Sequence, residues 1–247
     1  MRRNNWKMLF YLSALIGFIG MFMWKSGFLK VEKEMNAVER TVISDDGSET
    51  KEFKLSKWIV VIFGVMLAIL LQGSLRDGVT TWMPSLINEI YGVDTSGAII
   101  TSIALPVFSM LCYQIAQFLM RKYFKNEIVC AGVLFATVFA ATVLLWLLYD
   151  KSVIVTVLLN MVIVGGVHGV NLMLVCIAPK RFKSYGNIST MSGILNFSTY
   201  IGSAASTYGF AALSEYTGWH TTIGIWIGIA AVGAALCFVT AKKWERL

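Results

Sequence analysis

Long apolar runs alternate with short polar breaks along the chain, and the runs fall at residues 8–24, 58–75, 97–120, 128–148, 153–177, 188–213 and 221–241. Each is 17–26 residues long and nearly free of charge. A helix of about 20 apolar residues crosses the roughly 30 Å of bilayer hydrocarbon, so the pattern predicts seven membrane-crossing helices. A transmembrane β-barrel would show alternating segments of about ten residues instead, and the sequence has none. The expected fold class is an all-α membrane protein, a polytopic helical bundle.

Polar residues inside the runs recur at helical spacing. Ser102, Ser109, Tyr113 and Gln117 share one face of the third run, with Pro106 between them as a source of a kink. Asn160, His168 and Asn171 share a face of the fifth, and His168 is flanked by Gly165, Gly166 and Gly169. Asn196, Tyr200 and Ser203 form a third face. In lipid such residues bond to a neighbouring helix or line a wet cavity. The glycines Gly193, Gly202 and Gly209, with nearby alanines, make the sixth run a small-residue helix suited to close packing.

Composition supports the same class. The 247 residues are 57% hydrophobic and 14% charged, whereas soluble domains carry about 25% charged residues. The net charge of +7 does not imply a nucleic-acid partner, because membrane proteins gather Lys and Arg in their cytoplasmic loops. Of the 21 basic residues, 16 fall on one side of the predicted bundle and 4 on the other. That asymmetry predicts a cytoplasmic C-terminus and an external N-terminus, in the cell membrane. Residues 25–57 hold seven basic and seven acidic residues and read as a solvated linker. The domain expectation is a first transmembrane helix over 1–24, a charged cytoplasmic linker over 25–57, a six-helix bundle over 58–241 and a cytoplasmic tail over 242–247. No small-residue cleavage site follows Trp24, so the first helix is expected to stay attached. Three positive charges before an external first helix would suit the back part of a longer chain.

Arg76 decides most of the functional reading. It stands in LLQGSLRDGVTTWMPSL, about 18 residues into a run that begins at Trp58. An arginine near mid-membrane costs at least about 2.5–3.5 kcal/mol and persists where it faces protein or water. Its guanidinium suits a phosphate or carboxylate, held by two parallel hydrogen bonds. Alternatively the helix ends near Leu75 and Arg76 snorkels to the outer interface. Asp77 has two readings as well, a proton acceptor or a solvated acid. Adjacent helical residues point about 100° apart, so Arg76 and Asp77 are not expected to pair.

The pattern R-x-G-x-x-x-W-x-P, formed by Arg76, Gly78, Trp82 and Pro84, resembles the seventh helix of the organophosphate:phosphate antiporters of the major facilitator superfamily. Ala178-Pro179-Lys180 with Gly186 and Gly193 is similar to their turn between helices ten and eleven, and Gly218-Trp219 to their last hairpin. Asp77 stands where that family usually has an aromatic residue. The resemblance implies half of a major-facilitator fold plus one extra N-terminal helix, helices six to twelve of a full transporter. It implies secondary active transport of a small anionic solute, an organophosphate or sugar phosphate, by alternating access. Arg76 would bind the anion, with Trp82, Tyr113, Gln117, His168, Asn171, Asn196 and Tyr200 around it. The partners expected are the solute, the lipid bilayer, and either a missing N-terminal half or a second copy. The competing reading is a split module that packs with a partner half and transports nothing alone.

Enzymatic and metal chemistry find no support. The sequence has no HExxH, GxSxG, Walker or GxGxxG pattern, and two histidines are too few for a His-rich metal site. Cys112, Cys130, Cys176 and Cys237 lie in or beside apolar runs without CxxC spacing and read as small buried hydrophobes. No cofactor is expected.

Overall fold

The computed structural model describes residues 7–8, 10–25, 27, 55–185 and 188–246, and the chain divides into two compact units, Met1–Thr50 and Lys51–Leu247. In the first unit, α1 (Phe10–Lys25) is an apolar helix with exposed Phe18 and Phe22 rings 5.3 Å apart. Most of the predicted linker lies outside the described residues.

The second unit is a helical bundle. Its elements are α2 (Leu55–Tyr91), α3 (Thr95–Ser102), α4 (Ala104–Lys122), α5 (Glu127–Leu148), α6 (Val153–Asn171), a π turn (Leu172–Ile177), a 3₁₀ segment (Ala178–Tyr185) and α7 (Ile188–Trp244). Among the described residues there is no strand. Among the described residues five helices are long and apolar enough to cross a membrane, the last being α7 with 57 residues.

Local chemistry sets the breaks. α2 ends at Gly92, whose φ of 63° suits a residue without Cβ, and the Asn88 side chain closes the turn by donating to the Val93 carbonyl. Pro106 has no N–H to offer Ser102, and α3 stops at that residue before α4 resumes. The crossing is thus interrupted at Ile103, three residues before the proline that the sequence marked as a source of a kink. Asn126 caps α5 by accepting from the backbone N–H groups of Ile128 and Val129. α7 breaks at Gly218, where φ is 78° and ψ is 171°. Residues 210 and 226 would lie about 24 Å apart along a straight helix. Their rings are 5.7 Å apart, so the chain doubles back into two limbs. These limbs match the sixth and seventh predicted crossings.

α2 runs beside both limbs, parallel to the first and antiparallel to the second. Gly73 and Gly202 lie in the first seam. A Cβ on Gly202 would stand 1.9 Å from the Leu70 carbonyl oxygen, and one on Gly73 2.3 Å from that of Thr199. The backbones therefore touch, as small residues allow in lipid, where dispersion rather than water expulsion holds helices together. Gly193 and Gly209 meet nothing within 4 Å, so of the three glycines predicted to pack only Gly202 does.

The core separates into two apolar layers. One gathers Val65, Ile69, Phe135, Val170, Met173 and Trp244. The other gathers Leu75, Met83, Leu145, Val164, Phe210 and Trp226. On α2 the layers part between Ile69 and Leu75, and on α6 between Val167 and Val170. Polar side chains occupy that level.

Candidate functional site

At the level between the two layers, Gln72 is fully buried. Its amide nitrogen donates to the Val167 carbonyl at 3.2 Å, and its amide oxygen accepts from Asn171 at 3.4 Å. One helical turn further along α2 stands Arg76. α2 continues through Pro84 to Tyr91, so Arg76 lies 15 residues, about 22 Å of helix, before the end. The alternative in which the helix ends near Leu75 is not what the chain adopts.

Arg76 and Asp77 form a fork. Nε donates to Oδ1 at 2.6 Å and Nη2 to Oδ2 at 2.8 Å. The sequence expectation that these neighbours do not pair is overturned. Their Cβ atoms diverge, but the three-carbon stem of arginine brings the guanidinium back over the short carboxylate. Ser203 of α7 donates to the same Oδ2. The side chains of Arg76 and Asp77 retain 19% and 31% of their exposure, so the pair opens on a surface.

His168 of α6 sets its Nδ1 2.8 Å from the Val164 carbonyl. A carbonyl only accepts, so Nδ1 carries the proton and Nε2 of the neutral ring is left as an acceptor. Tyr113 of α4 stacks edge-on against this imidazole at 5.6 Å. Tyr113 and Tyr200 lie within electrostatic range of Arg76, and His168 within range of Asp77. The glycines beside His168 do not leave room for a ligand, because neighbouring helices fill it. A Cβ on Gly165 would meet Cys112 of α4, and one on Gly166 would meet Val138 of α5.

At the far end of the bundle a second charged cluster is enclosed. Glu127 accepts from Arg181 Nε at 2.5 Å, Arg181 Nη2 at 3.1 Å and Trp244 Nε1 at 2.8 Å. Asn126 donates to the Ala241 carbonyl at 3.1 Å, and Phe182 packs edge-on against Trp244. This cluster ties the starts and ends of α5, the 3₁₀ segment and α7 together. Among the described residues no three His, Cys, Asp or Glu side chains gather as a metal site.

The Major Facilitator Superfamily profile matches residues 2–207. The chain belongs to the Major Facilitator Superfamily. It is accordingly a multi-pass membrane protein of a transporter family rather than of an enzyme family. A bacterial homologue of the iron transporter ferroportin, solved in its outward-facing state, shares the fold with a TM-score of 0.55 at 13% identity. The alignment covers 84% of this chain and 52% of that one, so the chain spans about half that transporter's length. No curated protein sequence matches the chain.

Within this superfamily fold, the predicted site residues divide. Arg76, Tyr113, His168 and Tyr200 converge from α2, α4, α6 and α7. Asn171 joins one layer away through Gln72. Trp82 turns to the α2–α7 seam and donates to the Thr207 carbonyl at 3.1 Å. Gln117 and Asn196 are exposed, each one turn from Tyr113 and Tyr200 respectively. Of the cysteines, Cys130 and Cys237 are buried as expected, whereas Cys176 is exposed in the π turn. Gln72 and Ser74 were not foreseen. Ser74 Oγ lies 3.0 Å from both the Leu70 and Gly202 carbonyls, shares its one hydroxyl proton between them and so pins the glycine seam. Their signal was present as polar residues one turn and half a turn before Arg76 in an otherwise apolar run.

Proposed function

We propose that the chain carries a small anionic solute across the membrane by secondary active, alternating-access transport, with Arg76 as the anion's clamp. The observation that carries this reading is a guanidinium in the middle of a helix long and apolar enough to span a membrane, which keeps 19% of its exposure and has Tyr113 and Tyr200 within electrostatic range. The R-x-G-x-x-x-W-x-P resemblance favours an organophosphate or sugar phosphate as the solute. Tyr113, His168 and Tyr200 border the clamp, and Gln117 and Asn196 extend the same helix faces along the route. Asn171 and Trp82 hold the helices that present it. The Lys and Arg asymmetry favours the cell membrane, with a cytoplasmic C-terminus and an external N-terminus.

Exposed Gln117 and Asn196, with Tyr200 at 61% exposure, favour a second set of helices against α4 and the first limb of α7. Polar side chains facing lipid cost free energy that a protein partner removes. A front half or a second copy of this chain would supply that cover, and the same observation supports the module that transports only with its partner.

The test is uptake of labelled glycerol 3-phosphate by the chain reconstituted in vesicles, wild type against Arg76→Lys. Lysine keeps the charge and loses the fork, so uptake should fall at least about tenfold, as expected for a lost charge-assisted hydrogen bond of about 1.5–3 kcal/mol. Equal uptake removes the clamp. Uptake that requires a co-expressed six-helix partner selects the module reading.

A further inference from the structure

One bidentate edge of the Arg76 guanidinium, Nε with Nη2, is occupied by Asp77 at 2.6 and 2.8 Å, which leaves the Nη1 edge beside a charged carboxylate. A solute anion that takes the fork must displace a carboxylate, or approach with that carboxylate still charged. Either course leaves one anion too many near one cation, and the two anions repel each other more strongly in this part-buried setting than in water. A proton on Asp77 removes the difficulty. The carboxyl then gives up its claim on Nε and Nη2, and Ser203 can still bond it.

Resting on the anion reading above, we propose that Asp77 is a proton-operated gate on Arg76, so that one proton enters with each solute anion. The charge count closes. Before binding, Arg76 and Asp77 sum to zero. After binding, a neutral Asp77, a positive Arg76 and a monoanion again sum to zero. Electrical balance on both sides of the step is what a half-buried site in lipid requires, and it selects a singly charged anion, either a carboxylate or a phosphate monoester holding one proton.

The groups facing the pair leave this role to Asp77. From α7 come Ser203, in contact with the carboxylate, and Tyr200. From α4 comes Tyr113, with Cys176 of the π turn within its range. From α6 comes His168, whose Nδ1 proton is committed to the Val164 carbonyl. Asp77 holds the fork itself, whereas the imidazole acts on it from a distance.

The test uses the full chain in lipid vesicles, with two readouts. The wild-type-minus-Asp77→Asn infrared difference, titrated from pH 8 to pH 4, should show a protonated-carboxyl band that belongs to Asp77, over the acid-side signal the other carboxylates give to both proteins. Equilibrium binding of glycerol 3-phosphate, referred to the concentration of its monoanion because its own second ionisation falls near pH 6, should weaken in the wild type by about tenfold per pH unit above the midpoint of that band, one proton per anion. Asp77→Asn should hold the acid-side affinity throughout, and His168→Gln should keep the wild-type slope. The gate falls if Asp77→Asn retains the slope or binds more weakly at every pH, if the infrared difference shows no such band, or if His168→Gln abolishes the slope. If glycerol 3-phosphate binds at no pH, the organophosphate reading falls, and the same pH series with lactate, a monoanionic carboxylate, decides the gate: an Asp77-dependent slope upholds it, and no slope or no binding overturns it.

Discussion

Two arginine–carboxylate forks sit in this bundle, at Arg76–Asp77 and at Arg181–Glu127, and they differ in what encloses them. The Glu127 side chain keeps 5% of its exposure and accepts from Arg181 twice and from Trp244 once. Its partners come from sequence positions 54 and 117 residues away. Asp77 keeps 31%, pairs with its own chain neighbour, and receives a single bond from another helix. A carboxylate sealed among distant elements fastens them together. One that is half-open and locally paired can exchange its partner with little disturbance to the bundle. The same chemistry thus fastens the bundle at its end and, in the function proposed above, forms a site at its middle.

The comparison breaks most readily at Glu127. Removing one partner of an enclosed pair strands the others, so Glu127→Ala should destabilise the protein by about 3 kcal/mol or more. Asp77→Asn should change stability by less than about 1 kcal/mol, as for partly exposed pairs. Thermal unfolding of both variants in the same detergent checks this, and equal losses would erase the distinction between the two pairs.

The seam that carries Arg76 offers the next effect. Gly202→Ala drives a methyl group into the Leu70 carbonyl, and overpacking of this kind costs about 1–3 kcal/mol. At Gly193 nothing lies within 4 Å, and Gly193→Ala should be stabilising by about 0.5–1 kcal/mol through helix propensity. Unfolding midpoints that move in opposite directions would confirm that close backbone approach, rather than glycine content, matters along α7. The smallest effect belongs to the buried amides. A double-mutant cycle of Gln72→Leu and Asn171→Leu should give a coupling of about 0.6 kcal/mol, the average for hydrogen bonds between membrane helices. A coupling several times larger would make the Gln72 layer, and not Glu127, the principal polar fastening.

The helices themselves were legible because length and hydropathy suffice to define a crossing. Even the break before Pro106 and the turn at Gly218 were marked by residue type, proline because it has no N–H to give a helix and glycine because it alone takes a positive φ at little cost. Arg76 was legible as a costly charge and Tyr113, His168 and Tyr200 as polar faces. That the polar faces gather round Arg76 was an expectation, but which residues of each face come near it was not legible, since a stripe at helical spacing fixes a direction around one axis and says nothing about which helix lies opposite. Trp82 shows the consequence. It shares a motif with Arg76 yet bonds to the Thr207 carbonyl in the seam.

The sequence alone determined an all-helical, membrane-crossing chain with one expensive cation in its second apolar run, because the bilayer admits so few backbone solutions and charges so heavily for polar groups. Tertiary structure decided which carboxylate answers which arginine. Glu127 found Arg181 across 54 residues, and Arg76 curled onto its own neighbour. Both outcomes depend on the reach of flexible side chains and on what the packed helices leave open around them, and neither quantity is written in residue order.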